Sequence, residues 1–289
     1  SRQKRHRFQN LYRLLNAQYL EWVFQRLNKK AASGVDQITY QEYERNLKGN
    51  IAQVVEKLRK KRYRAKLVRR KDIPKGRGKT RPLGIPALED KLLQTAVSLI
   101  LQAIYEQDFL SCSYGYRLGT GARDAVEQVS SLLQFGKTGY VVEADIKGFF
   151  DHIDHQWLIR MLEQRVDDRA FLQLIRKWLK AGILAENGEV TKPEAGTPQG
   201  GSVSPVLANV YLHYALDLWF EKVVKKHGKG DSLIIRYADD FVCLFQYRRD
   251  ADRFFHALPK RLAKFGLELA PDKTRIIRFN RFRNKSERS

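Results

Sequence analysis

Two adjacent carboxylates, Asp239 and Asp240, sit inside an otherwise apolar run, LIIRYADDFVCLF. Burying a carboxylate is costly unless something neutralises it, so the pair marks a solvated turn or a bound cation. A third candidate, Asp145, ends the apolar stretch YVVEAD, 94 positions earlier (239 − 145). If the two stretches are neighbouring strands, three carboxylates meet at one edge of a sheet. Hard divalent cations such as Mg²⁺ favour oxygen ligands, and they take one or two protein carboxylates together with substrate phosphates. Two such ions about 4 Å apart can activate a 3′-hydroxyl and stabilise a leaving pyrophosphate. Metal would then explain why like charges stand side by side.

A second stretch, GTPQGGSVSPVLANV, places a glycine pair behind Pro-Gln. Glycines let a backbone approach a ligand closely, and Gln199 can reach a nucleotide or a primer strand through its amide. FFDHIDH sets His152 and His155 near Asp151 and Asp154. With no third nitrogen or sulfur ligand nearby, a helix start capped by Asp154 explains this cluster better than a metal does.

These groups need elements to carry them. Leu11, Leu14, Leu15, Leu20, Val23, Phe24 and Leu27 recur at helical spacing over residues 8–30 with cations between them, which predicts an amphipathic arm. Asp36 or Thr39 could cap a helix containing Tyr43 and Leu47, and 51–62 predicts another basic helix. LVRRKDIPKGRGKTRPLGIP reads as a hairpin whose prolines demote its strands to edges. Helices follow at 89–107 and 122–135, a strand at YVVEADI, and helices at about 155–165 and 168–181. ILAENGEVTK predicts a hairpin with a type I′ turn at Asn187–Gly188. Ser204-Pro205 opens a long helix, RYADDFV lies in a strand–turn–strand, and 249–264 is helical. Strands separated by long helical insertions argue an α+β fold around a small antiparallel sheet packed on helices. Trp157, Trp178 and Trp219 fall on apolar helical faces and read as core.

Charge narrows the partner. Lys+Arg number 54 against 32 Asp+Glu, giving +22. Residues 1–70 hold 19 Lys/Arg and 5 Asp/Glu, a net +14, leaving +8 for the rest. That asymmetry attracts a polyanion, of which nucleic acid is the commonest. The two cysteines, Cys112 and Cys243, lack metal-ligand spacing and read as reduced intracellular thiols. No apolar run approaches the roughly 20 residues of a membrane span, so no membrane partner and a cytoplasmic location are expected.

The ordered series RPLGIP, DIKGFFD, TPQGGSVSP, YADD and GLELAPDKT resembles the successive motifs of a reverse transcriptase. More narrowly, it is similar to the group II intron-encoded reverse transcriptase/maturase family, over residues 8–280. The resemblance implies the fingers and palm of a right-hand polymerase: a basic helical extension at 1–30, fingers at 31–140 with the palm beginning at about 87, palm at 141–280, and a disordered tail at 281–289. It implies two Mg²⁺ ions, with Mn²⁺ as a substitute, on Asp145, Asp239 and Asp240 beside the backbone of Ile146. Phe150 matches the aromatic gate under the sugar, Arg81 and Lys75 the fingers cations on the triphosphate, and Lys273 the lysine that protonates pyrophosphate. The lysine role stays open among Lys75, Arg77 and Lys79. Implied partners are group II intron RNA, an RNA template with a DNA primer, and dNTP; a homodimer remains an option. With 16 residues after Lys273 (289 − 273), a helical thumb is not expected. The rivals are a non-catalytic RNA-binding splicing scaffold, an RNA-copying RNA polymerase that would carry a polar residue at Phe150, and a CRISPR-associated or retron-type enzyme.

Overall fold

The computed structural model describes residues 6–76, 78–197 and 200–280. Along the chain, a short 3₁₀ turn at Leu11–Leu14 precedes helix α1 (Ala17–Phe24). The single arm expected over 8–30 is therefore broken. The Asn16 side chain accepts from Tyr19 N–H at 3.0 Å and starts a new helix there. Thr39 caps α2 (Tyr40–Glu44) in a reciprocal capping box with Glu42, and α3 (Leu47–Arg59) begins earlier than the expected residue 51.

Strands β1 (Val68–Gly76) and β2 (Lys79–Ile85) form the expected hairpin, with Asp72 opposite Pro82. Helices α4 (Leu88–Tyr105) and α5 (Ala122–Phe135) precede β3 (Tyr140–Ala144). Asp154 caps α6 (His155–Leu162), accepting from Trp157 N–H at 2.7 Å. Asp168 does the same for α7 (Arg169–Leu179). The pair β4 (Ile183–Leu184) and β5 (Val190–Thr191) turns through Glu186–Gly188. Only Gly188 there has positive φ, at 86°, so the turn is a three-residue loop ending in a left-handed glycine; a type I′ turn would need Asn187 positive as well. Helix α8 (Ser204–Leu212) continues through wide π-type turns into α9 (Lys225–His227). Then come β6 (Ser232–Tyr237), β7 (Asp240–Phe245), α10 (Arg248–Ala263) and β8 (Arg275–Arg278).

The chain forms two compact units that interleave in sequence: Ser1–Gln107 with Ile153–Leu207, and Asp108–His152 with Ala208–Ser289. Their limits differ from the expected segments 31–140 and 141–280. In the first, the two hairpins join into one sheet of order β2-β1-β4-β5, because Val68 and Arg69 pair in parallel with Ile183 and Leu184. Among the described residues, strand β1 beyond Arg69 has only β2 beside it, so Pro74 withdraws no ladder bond from a central strand.

The second unit holds an antiparallel sheet of order β6-β7-β3-β8. Its two faces follow the period of 2. Ile235, Leu244, Val141 and Val242 pack under Ala125, Val129, Leu132 and Leu133 of α5. On the opposite face the Phe245 ring packs tilted against Phe254 of α10, their centroids 5.3 Å apart, and Cys243 is buried. A sheet covered by helices on both faces holds its strand ends rigidly, and the candidate residues stand on those ends.

Candidate active site

Strand β3 runs straight into Asp145. Its pairing with β7 ends at Ala144 opposite Phe241, and continuing that register sets Asp145 across from Asp240. Directly opposed positions in an antiparallel pair lie about 5 Å apart at Cβ. Both carboxylates line a cavity of about 610 Å³, whose other walls include Val126 and Val129 of α5, Tyr237, Lys273 and Arg275. The strand pairing expected from the sequence is therefore present.

The expected meeting of three carboxyl groups around one ion is not. Among the described residues no three His, Cys, Asp or Glu side chains stand close enough to ligate a metal. Asp239 lies on the turn and is not among the cavity's lining residues. Asp145 already has a cation: Lys273 Nζ sits 2.6 Å from its Oδ2. The hydrogen bond to Asp145 and its charge raise the Lys273 pKa, with smaller help from Asp272 and Asp240, so this lysine stays protonated. Arg275 is likewise tied to Glu143 at 2.8 Å.

The donors nonetheless suit a hard divalent cation. All are oxygens, two face one cavity, and a positive charge is seated on Asp145. Ile146 adds a further oxygen. It bridges Leu269, with Ala270 N–H donating to the Asp145 carbonyl and Lys147 N–H to that of Glu268. In such a narrow pair the N–H and C=O of Ile146 itself face away from Leu269.

The turn bearing Asp239 is strained and held from beneath. Ala238 has φ 57°, at a position of a two-residue hairpin turn where glycine is usual. The Ala238 carbonyl accepts from Arg236 Nη1 at 2.8 Å. Arg236 is 0% exposed, on the face opposite Asp240. Its remaining N–H groups are all used: Nε and Nη2 on the Asp217 carboxylate at 2.8 and 2.6 Å, Nη1 on Asn209 at 3.0 Å, and Nη2 on Ser113 at 2.8 Å. Burial opposes the guanidinium charge, but Asp217 more than offsets this and holds the pKa above its ordinary value, with Asp239 adding to the effect. Gly115 closes the support. A Cβ there would meet Ala238 N at 2.2 Å, while Asn209 Nδ2 donates to the Gly115 carbonyl at 2.7 Å.

Sequence reasoning missed Arg236, Asp217, Asn209, Ser113 and Gly115. A signal existed: one arginine in LIIRYADD and one aspartate in LHYALDLWF, each a charge within an apolar run that demands an opposite partner.

Other expected site residues fall as follows. Phe150 is 6% exposed, in a 3₁₀ turn with Phe149, the rings edge to face at 5.3 Å. Arg81 lies on β2, paired with Ile73. Lys75 lies on β1, its side chain outside the described part, and Arg77 and Gln199 lie outside the described residues. Gly200, at φ 107°, lets its loop approach the chain's own backbone: a Cβ would meet the Gly84 carbonyl at 2.5 Å. Its close approach is to β2, whereas the sequence reading expected a ligand there. His152 and His155 each bond a backbone carbonyl, of Gly148 at 2.8 Å and of Gly196 at 2.7 Å.

A family model described as reverse transcriptase (RNA-dependent DNA polymerase) matches residues 73–287. The group II intron-encoded protein LtrA of Lactococcus lactis subsp. cremoris is 44% identical over 164 residues, 56% of this chain and 27% of LtrA, so the chain spans about a quarter of that relative. Protein YkfC of Escherichia coli (strain K12) is 31% identical over 272 residues, covering 82% of this chain and 71% of YkfC. The structure of telomerase from Candida albicans, in complex with a fragment of telomeric RNA, superposes with a TM-score of 0.59 at 17% identity, covering 86% of this chain and 47% of that one.

Proposed function

The chain belongs to the reverse transcriptase (RNA-dependent DNA polymerase) family, and from that premise we propose that it extends a DNA primer with deoxynucleotides along an RNA template. Its α+β fold is that of the right-hand polymerases. We read the β6-β7-β3-β8 sheet as palm and the β1–β2 hairpin as part of the fingers.

In this reading Asp145, Asp239 and Asp240, with the carbonyl of Ile146, hold two Mg²⁺ ions, for which Mn²⁺ can substitute. Bound there, the metals would supply charge stabilisation for the attacking and leaving oxygens. The 3′-hydroxyl gives up its proton to solvent water as its oxygen attacks the α-phosphorus, and the bond from that phosphorus to the bridging oxygen breaks, releasing pyrophosphate. Lys273, kept protonated at Asp145, turns from that carboxylate and gives its proton to the leaving group. Arg81 and Lys75 grip the triphosphate oxygens, Arg81 through its bidentate fork. The Phe150 ring stands under the sugar, where a 2′-hydroxyl would clash. Gln199 contacts the nucleotide or primer. Because its relatives include a protein named for a group II intron, structured intron RNA is the partner we assign to the basic residues 6–70, inside the cell.

The observation that carries this reading is the opposition of Asp145 and Asp240 across β3 and β7 at one cavity. Its test is primer extension on an RNA template with Mg²⁺, comparing wild type with Asp145→Ala and Asp239→Ala, alongside direct Mn²⁺ titration by electron paramagnetic resonance. Both variants should lose incorporation and bound Mn²⁺; equal incorporation by all three proteins defeats the assignment. A wild type that binds structured RNA but neither extends nor takes Mn²⁺ would be the non-catalytic scaffold, a reading favoured by the Lys273–Asp145 ion pair.

A further inference from the structure

A strongly basic concavity in the first unit has no part in the chemistry above. It measures about 910 Å³ and is lined by Lys61, Arg62, Arg64, Arg176, Lys177 and Lys180, with no carboxylate among its walls. Through Lys61, Gln173, Arg176 and Lys177 it adjoins a second cavity of about 650 Å³, which adds Arg169 and Tyr12. The carboxylate there, Glu163, is held by Arg176 at 3.5 Å.

Cations after a helix end can simply answer its dipole. Lys61 does more than that would require. Helix α3 closes with Lys61 N–H on the Leu58 carbonyl at 3.0 Å and Arg62 N–H on that of Lys57 at 2.8 Å, which puts Lys61 where helices usually place glycine. Its φ is 55°. A residue with a Cβ costs roughly 1 kcal/mol or more in that left-handed conformation. The chain bears this strain and keeps a cation at the lip of the groove. Strain of this kind points to function when the surroundings enforce it, and here they do. Tyr63, 1% exposed, donates its hydroxyl to buried Asp90 and accepts from Trp178 Nε1 at 2.8 Å. Lys177 Nζ donates to the Tyr63 carbonyl at 2.6 Å. The 61–64 segment and α7 are thus tied into one preformed surface.

The aromatic content selects the ligand. Proteins that hold single strands offer rings on which bases stack. In this groove Tyr63 is buried, and Tyr12 is half-buried with its hydroxyl on the Leu58 carbonyl at 3.0 Å. Clustered cations without stacking rings suit the regularly spaced phosphates and 2′-hydroxyls of helical RNA, which is read by shape. We propose that this groove binds the sugar–phosphate backbone of an RNA duplex, at a site that shares no residue with the carboxylate cavity. The proposal rests on the reading above only for the choice of RNA as the polyanion.

The test uses fluorescence anisotropy of a labelled RNA hairpin of arbitrary sequence, titrated over a range of salt, against wild type, Arg62→Gln/Arg176→Gln/Lys180→Gln and Lys61→Gly. Each lost phosphate contact lowers the slope of log K against log salt by roughly 0.9, so the triple variant should lose about 2 to 3 in slope. Its affinity at moderate salt should fall by tenfold or more. Lys61→Gly separates function from folding: relief of the left-handed strain should raise the thermal midpoint, yet RNA binding should weaken several-fold. A triple variant with the wild-type slope overturns the proposal. So does an equal loss on unstructured oligo(U), which would make the groove a single-strand site, or a Lys61→Gly protein that gains stability and binds the hairpin unchanged. Because binding is read without catalysis, failure to extend a primer refutes the polymerase reading alone.

Discussion

Replacing Arg236 with Met removes five N–H donors from a place water does not reach. Asp217, fully buried, is left as an uncompensated carboxylate, and the Ala238 carbonyl, Asn209 and Ser113 each lose a partner. Breaking a buried ion pair from one side costs about 3–5 kcal/mol. An orphaned carbonyl adds roughly 1–3 kcal/mol. Against a total stability of about 5–15 kcal/mol, Arg236→Met should forfeit a large share, and its urea midpoint should fall by more than about 1 M at unchanged m. Arg236→Met/Asp217→Leu leaves no charge stranded, so it should unfold at a higher urea concentration than the single variant. Its primer extension should nevertheless remain impaired, because nothing then holds the Ala238 carbonyl and the turn beside Asp239. Urea unfolding followed by circular dichroism, with extension measured over a Mg²⁺ series, reads both quantities. A single variant that loses less than about 1 kcal/mol, below the range for a buried pair, or a double variant less stable than the single, would refute this account.

Two further outcomes follow from local geometry. Gly115→Ala drives a Cβ to 2.2 Å from Ala238 N; the turn must move, and extension should fall far more than the thermal midpoint does. Burial, opposed by the hydrogen bond from Tyr63, pushes the Asp90 carboxyl from 3.8 up to about 6. The folded state therefore holds a proton that the unfolded chain releases, so this group's stabilisation is complete below about pH 4 and is lost as pH rises through 6. Thermal melts of wild type and Asp90→Asn should differ by a pH-dependent amount, on the order of 2–3 kcal/mol across that window. Parallel curves would show that Asp90 does not titrate there.

Much of the site could be read before folding was considered, because its signals are short-range. The period of α5 gave its limits, Ala122–Phe135, as expected. Asp154 announced α6 by capping chemistry, and the carboxylates at the ends of two apolar stretches announced an edge where strands meet. The errors were also local. Asn16 interrupts the first arm because its side chain competes for backbone N–H groups, and the loop before β5 has one left-handed residue where the Asn-Gly pair suggested two.

By itself the sequence determined which oxygens and cations the chain can offer and on which strands and helices they ride, since hydrophobic period, caps and turns act over a few residues. The tertiary structure alone decided their company. Lys273 reaches Asp145 across 128 positions, and Arg236 finds Asp217 beneath the sheet. Such meetings depend on strand order and register, which shift every side chain by one face per residue of slip. A buried charge must find its partner wherever the packed chain brings one, and no local pattern records that place.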